Sequence, residues 1–148
     1  ISSSIASGSL VADGEATEAS RRFGLVYDTG ALIAAEADDR RMWAIHTRAI
    51  QRGVMPIVPA GCLIEAWRGT RQTSLSRLLD GCAVESLDGE AARRAGSLRR
   101  ALSADVGPID ASVVETALRL GCAVVTSDRS DIERLASAVR RRIDVIDV

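Results

Sequence analysis

The sequence predicts an α/β protein: a three-layer α/β/α domain around a short central parallel sheet of about five strands. Three observations lead there. Short apolar runs recur along the chain with helical patterns between them, the order that builds a parallel sheet covered on both faces. The chain has 148 residues, 47% of them apolar, which suits one hydrophobic core and is too few for two ordinary domains. Only 3% of the residues are aromatic, so that core must be made of Leu, Ile, Val and Ala.

Residues 1–22, ISSSIASGSLVADGEATEASRR, are small, polar and poorly periodic. They read as an appendage of unknown role, separate from a domain over residues 23–148. Residues 23–27 form a first strand that ends at Asp28. A helix over 40–52 packs through Trp43, Ile45, Ala49 and Ile50. A second strand at 54–58 is weakened by Pro56, and Pro59 leads into a helix over 60–68. A short helix over 71–80 and a third strand at 82–87 follow.

Asp88 is a good N-cap for a helix over 89–104, with Glu90 in its first turn. Gly107-Pro108 starts another helix, with Pro108 at the first helical position and Gly121 just past the end. Cys122-Ala123-Val124-Val125-Thr126 is the clearest buried strand. Ser130 and Glu133 have capping-box spacing and open a last helix to about Val139. Residues 143–148 close the chain as a fifth strand.

Several function classes drop out on composition. All 19 basic residues are arginine, so there is no lysine for a Walker-type phosphate loop or a Schiff base. Cys62, Cys82 and Cys122 lack metal-like spacing and read as buried thiols of a reducing compartment. No run of 18 apolar residues and no basic-then-apolar leader occurs, so neither a membrane span nor a signal peptide is expected, and the default location is cytoplasmic. The formal net charge of -1 hides an uneven distribution. Residues 39–100 hold eleven arginines against six acids, a net of +5 between acidic flanks. That stretch can face nucleic-acid phosphates or serve as solvated helix surface.

In a parallel α/β sheet the crevice lies beyond the carboxyl ends of the strands, where the strand order reverses. Asp28 and Asp128 each follow an apolar strand, and if those strands are neighbours the two carboxylates converge. Each can also cap the turn or helix that follows. Asp110 lies in a first helical turn on the same stripe as Val113, Val114 and Ala117, so it must be paired, protonated or bound to a cation. Glu65 shares a helix face with Gly61 and Cys62, small enough for close approach, and otherwise reads as a surface residue beside Arg68. Asp131, three residues past Asp128, is a further candidate and also a first-turn carboxylate.

Clustered carboxylates raise one another's pKa unless a cation compensates them. An all-oxygen set suits Mg²⁺ or Mn²⁺ and disfavours zinc, since His46 and the scattered cysteines make no set of ligands. Such a metal can activate a water against a phosphodiester. Thr29 and Thr126 flank the acids and can orient them or cap turns. Arg68, Arg71 and Arg77, near the Glu65 helix, are candidates for holding an RNA backbone. His46, the one histidine, reads as a surface or half-buried packing residue. Met42, Trp43, Leu98 and Leu102 offer apolar surface for a homodimer.

These motifs resemble the PIN-domain nucleases, and within them the VapC-type toxins of bacterial toxin–antitoxin pairs. The resemblance covers about residues 24–148 and rests on Val26-Tyr27-Asp28-Thr29-Gly30-Ala31-Leu32-Ile33, on Glu65, on Ile109-Asp110-Ala111-Ser112 and on Val125-Thr126-Ser127-Asp128-Arg129-Ser130-Asp131. It implies an endoribonuclease that uses Mg²⁺ or Mn²⁺ at Asp28, Glu65, Asp110 and Asp128, with Asp131 as accessory. It also implies homodimers, a structured RNA substrate such as tRNA or rRNA, and a small co-encoded antitoxin. Gly30 departs from the family, whose opening often carries Ser after the Asp-Thr pair. Two other functions fit the same pattern: a housekeeping RNase of RNA processing, and a catalytically silent binding domain.

Overall fold

Leu25–Tyr27 (β1) sits at the centre of a five-stranded parallel sheet, with Ile57–Pro59 (β2) on one side and Ala123–Thr126 (β4) on the other. Ala83–Glu85 (β3) lies outside β2 and Val145–Asp147 (β5) outside β4, giving the order β3-β2-β1-β4-β5. This is a computed structural model, and it describes residues 24–69, 71–102 and 105–148. The 1–22 appendage and Phe23 lie outside the described residues. The helices are α1 (Thr29–Glu36), α2 (Arg40–Gln51), α3 (Ala60–Ala66), α4 (Thr73–Leu79), α5 (Gly89–Leu102), α6 (Pro108–Leu120) and α7 (Arg129–Ala138). The architecture is the expected three-layer α/β/α fold.

The strand order places the chain's reversal between β1 and β4. From β1 the chain steps outward to β2 and β3, then returns to the far side for β4 and β5. Leu25, Val26 and Tyr27 pair with Ala123, Val124 and Val125, so the two strands end level. Val26, Tyr27, Val58, Val124 and Val125 are fully buried, and α6 lies across β1, β2 and β4 to complete an aliphatic core. The Gly107-Pro108 start, the Gly121 stop (φ +68°) and the Asp88 cap on Ala91 N (2.8 Å) all match the sequence reading.

Other expectations need correction. Helix α1 had no periodic signal, because TGALIAAE is apolar on nearly every side: Ala31, Leu32 and Ala35 are buried while Ile33 is 54% exposed. Strand β2 starts after Pro56, which has no N–H to donate and contributes only its carbonyl, accepting from Ala83 N at 2.8 Å. The Ser130–Glu133 capping box does not form. Asp128 caps α7 instead, while Ser130 donates to Asp128 and Glu133 pairs with Arg129.

His46 is buried, not half-exposed, and its Nδ1 lies 2.9 Å from the Tyr27 hydroxyl. Cys62 is buried, whereas Cys82 and Cys122 are only partly so. The apolar residues that suggested a homodimer belong largely to the monomer. Met42 is fully buried, Trp43 donates its indole N–H to Ala35 O (3.0 Å), and Leu98 and Leu102 pack against the core. Among the described residues no helix is long and apolar enough to cross a membrane.

Candidate active site

Asp28 is the first residue past β1. Its backbone N–H donates to Val125 O (3.2 Å), which ties it to β4, and its Oδ1 accepts from Ala31 N (2.9 Å) to cap α1. Capping therefore fixes the rotamer of Asp28 at the end of the strand. Burial raises the pKa of this carboxyl and the charge on Asp110 adds to the rise, while the Thr126 hydroxyl and the Ala31 and Gly30 N–H groups oppose it.

Thr126 ends β4 and is fully buried. Its Oγ1 accepts from Asp128 N (2.9 Å), so one hydroxyl serves the two aspartates on neighbouring strands. Asp128 then caps α7, its Oδ1 accepting from Asp131 N and from the Ser130 hydroxyl, each at 3.1 Å. Asp131, in the first turn of α7, receives the Arg134 guanidinium at 2.7 Å.

Asp110 stands in the first turn of α6. The Val113, Val114 and Ala117 stripe behind it is buried, but Asp110 is itself open to solvent at the mouth of the crevice. Partial burial raises its pKa, and the negative charges of Asp131, Glu65 and Asp128 raise it further, with Arg134 a partial offset. The charges of Glu65 on α3 and of Asp128 and Asp131 at the start of α7 are thus felt at Asp110 on α6.

Glu65 reaches the group from α3. Thr29, the first residue of α1, donates its hydroxyl to Glu65 Oε1 at 2.6 Å. The small face of α3 does allow a close approach, though to α6 and not to the sheet: a Cβ on Gly61 would lie 2.6 Å from Ile109 Cδ1. Beneath them Cys62 is buried beside Thr29, and its thiol pKa is pushed up to about 12, chiefly by burial. It is therefore a neutral packing group, not a nucleophile.

The carboxylates supply the hard oxygen donors that Mg²⁺ or Mn²⁺ prefers, and the pKa values of Asp28 and Asp110 are raised chiefly by burial, with neighbouring acids adding to the rise. They are not drawn into a closed ligand set, however. Among the described residues no group of three His, Cys, Asp or Glu side chains is arranged to hold a metal ion. The hydrogen bonds above explain the spread, since one oxygen each of Asp28, Glu65, Asp128 and Asp131 is already committed.

The three arginines differ. Arg68 pairs with Glu36 at 2.5 Å, an arrangement braced by Gln72, which hydrogen-bonds both Glu36 and the Arg68 N–H. Arg77 lies over the Trp43 ring, 4.4 Å from its centroid. Arg71 is exposed and has no ion pair among the described residues. Arg134 was not singled out from the sequence. Arg134 could have been, because it stands three residues after Asp131 on one helix. Ser127 fills the space over Gly30: a Cβ there would lie 2.1 Å from Ser127 Oγ and 3.2 Å from Ser127 N.

Residues 25–138 match the PIN-domain family, which is most of the chain. The chain belongs to the PIN-domain family. No curated protein matches it detectably in sequence. Among solved structures this PIN domain is similar to a chain in the crystal structure of VapBC2 from Rickettsia felis bound to a DNA fragment from their promoter. The two share 12% sequence identity with a TM-score of 0.65, over 84% of this chain and 98% of that one. At that identity the likeness is one of fold.

Proposed function

We propose that this PIN domain is a Mg²⁺- or Mn²⁺-dependent endoribonuclease that acts as the toxin of a type II toxin–antitoxin pair. The observation that carries the reading is the convergence of Asp28, Glu65, Asp110 and Asp128, with Asp131 beside them, at the reversal point between β1 and β4. Asp28, Asp110 and Asp128 would hold the cation, with Glu65 completing the set and Asp131 in support. A bound cation supplies charge stabilisation for a phosphodiester and a more acidic water.

The chain's own residues do the positioning. Thr126 sets Asp128 through its N–H and lies against Asp28, and Thr29 orients Glu65. RNA carries its own negative charge, so the substrate approaches this acidic crevice only with cationic help. Exposed Arg71 is the candidate for backbone contact outside the crevice. Arg68 and Arg77 contribute there only by leaving Glu36 and Trp43. Structured RNA such as tRNA or rRNA fits the reading, as does a small antitoxin that shields the acids with a basic side chain.

The test is RNA cleavage with Mg²⁺ and with EDTA, for wild type, Asp28→Asn and Asp110→Asn, with the adjacent open reading frame co-expressed as candidate inhibitor. Metal-dependent cleavage lost in both variants and suppressed by the neighbour supports the proposal. Cleavage without any inhibiting neighbour points to a housekeeping RNase. The unclosed acid set favours a second reading, a catalytically silent PIN-like binding domain, and absence of both cleavage and cation binding selects it.

A further inference from the structure

Tyr27, Trp43 and Trp67 are the Phe, Tyr and Trp side chains among the described residues, and the first two are used inside the fold. Tyr27 is fully buried, and Trp43 holds Ala35 O with its indole N–H and carries Arg77 over its ring. Trp67 is different. It is 46% exposed, and its ring has no aromatic or cationic partner among the described residues. Its backbone is nevertheless fixed. Trp67 N–H donates to Leu63 O at 2.8 Å as α3 ends, and the chain then turns through Gly69 at φ +76°, a conformation that favours glycine. Buried Gln72 holds this turn from within: its Oε1 accepts from Arg68 N (2.6 Å), and its Nε2 donates to Ala66 O (2.8 Å) and to Glu36. A buried amide with both N–H donors in use thus braces a turn that leaves a large aromatic face in water.

We propose that Trp67 is a stacking platform for a base of single-stranded RNA, with Arg68 and Arg71 beside it to meet the phosphates. The inference rests on the RNA reading above and needs no metal. Charge supports it. The Arg68 side chain is 60% exposed even while it pairs with Glu36, and Arg71 is exposed with no ion pair among the described residues. Both belong to the stretch over residues 39–100 that carries a net +5. Chemistry supports it too, because every base has a π-face that an indole can cover whatever its sequence. Rigidity adds to both, since a braced indole has only two side-chain torsions to lose on binding. Ile64, one turn earlier on α3 and 76% exposed, adds apolar surface that a protein partner would also use. The two arginines around Trp67 favour a ligand that carries phosphate. Bases in a duplex are hidden in their own stack, so the platform selects unpaired nucleotides.

The test is fluorescence-anisotropy binding of a short labelled single-stranded RNA in EDTA, for wild type, Trp67→Ala, Trp67→Leu and Trp67→Phe, each checked for folding by thermal unfolding. Loss of the ring predicts binding about five- to a hundredfold weaker in Trp67→Ala. Trp67→Leu, which keeps apolar bulk without a π-face, should lose most of the same factor, and Trp67→Phe should stay near wild type. The salt slope should be unchanged in all three, since no charge is removed. An abasic oligonucleotide of the same length keeps the phosphates and removes the bases, so wild type and Trp67→Ala should bind it alike and weakly. Stacking should also quench indole emission in wild type, a signal reduced in Trp67→Phe. Wild-type affinity in Trp67→Ala or Trp67→Leu, or an equal loss on the abasic strand, overturns the proposal while leaving the RNA reading standing. Unchanged RNA binding in Trp67→Ala together with lost capture of the co-expressed neighbour overturns it in favour of a protein interface. If wild type binds no RNA, both readings fall.

Discussion

Asp28 has two roles that a pair of substitutions can separate. As the α1 cap it donates nothing and accepts the Ala31 N–H through Oδ1, a task that Asn performs about as well. As a charge it is unfavourable, since burial and Asp110 both raise its pKa. A raised carboxyl pKa means stability that is present below the unfolded value of 3.8 and is lost as pH rises through the folded value. Above the folded value the charged form is held at a cost that Asn does not carry, so at such a pH Asp28→Asn should unfold at a higher temperature than wild type in EDTA. Asp28→Ala removes the same charge and also the cap, a cost of about 1 kcal/mol. For a chain of this size that places it about 2–4 °C below Asp28→Asn. Adding Mn²⁺ should reverse the order. A ligand at a hundredfold over its Kd stabilises by about 2.7 kcal/mol, which lifts wild type above an Asn variant that no longer binds. Differential scanning fluorimetry with and without Mn²⁺ reads all of this. If Asp28→Asn is less stable than wild type in EDTA, or matches Asp28→Ala, the argument that its charge is held at a cost is wrong.

Gly30→Ala should destabilise by about 1–3 kcal/mol, because the new Cβ meets Ser127, and Ser127→Gly in the same chain should recover most of that loss. A denaturant melt of the single and double variants measures the coupling, and simple additivity would refute it. His46 is buried and held neutral, its pKa below the ordinary 6.5, so stability should be lost as pH falls from about 6.5 through its folded value. His46→Gln should flatten that part of the profile of urea midpoint against pH. For RNA, Arg71→Ala should reduce the salt slope of binding by about one unit, whereas Arg77→Ala should mainly lower stability by about 0.5–1 kcal/mol through the lost Trp43 stack. Filter binding across salt separates the two, and equal slopes for Arg71→Ala and wild type would remove Arg71 from the interface.

The architecture was legible because it rests on patterns of several residues at once. The runs at β1 and β4 are apolar throughout, as strands buried on both faces must be, and Gly107, Pro108, Asp88 and Gly121 mark helix ends by local chemistry alone. Helix α1 was not legible for the same reason that it is well buried: without a polar face there is no period to read. The capping box failed because α7 starts two residues earlier than that pattern requires: Asp128 Oδ1 accepts from Asp131 N and the Asp128 carbonyl from Ile132 N, which leaves Ser130 inside the first turn, donating to Asp128. At the site, Asp28 and Asp128 could be placed by strand order, whereas the use of Arg68 on Glu36 and Arg77 on Trp43 depends on side chains 32 to 34 residues away. No local pattern encodes those contacts.

The capping interactions also explain why the acids are where they are. In a parallel α/β unit, the residue after a strand is commonly the residue before a helix, and a carboxylate there is favoured by the helix N–H groups before any ligand is considered. Asp28 and Asp128 both occupy such positions, and Asp110 and Asp131 lie in first turns. Three helix starts, those of α1, α6 and α7, therefore stabilise these four negative charges locally. The fold then brings those starts to one end of the sheet, where burial first and neighbouring negative charges second raise the pKa values of Asp28 and Asp110. Each acid is locally satisfied and collectively strained. A cation bound there, as proposed, would relieve that repulsion while leaving the Ala31–Asp28 and Asp131–Asp128 cap bonds in place, because each uses a single carboxylate oxygen.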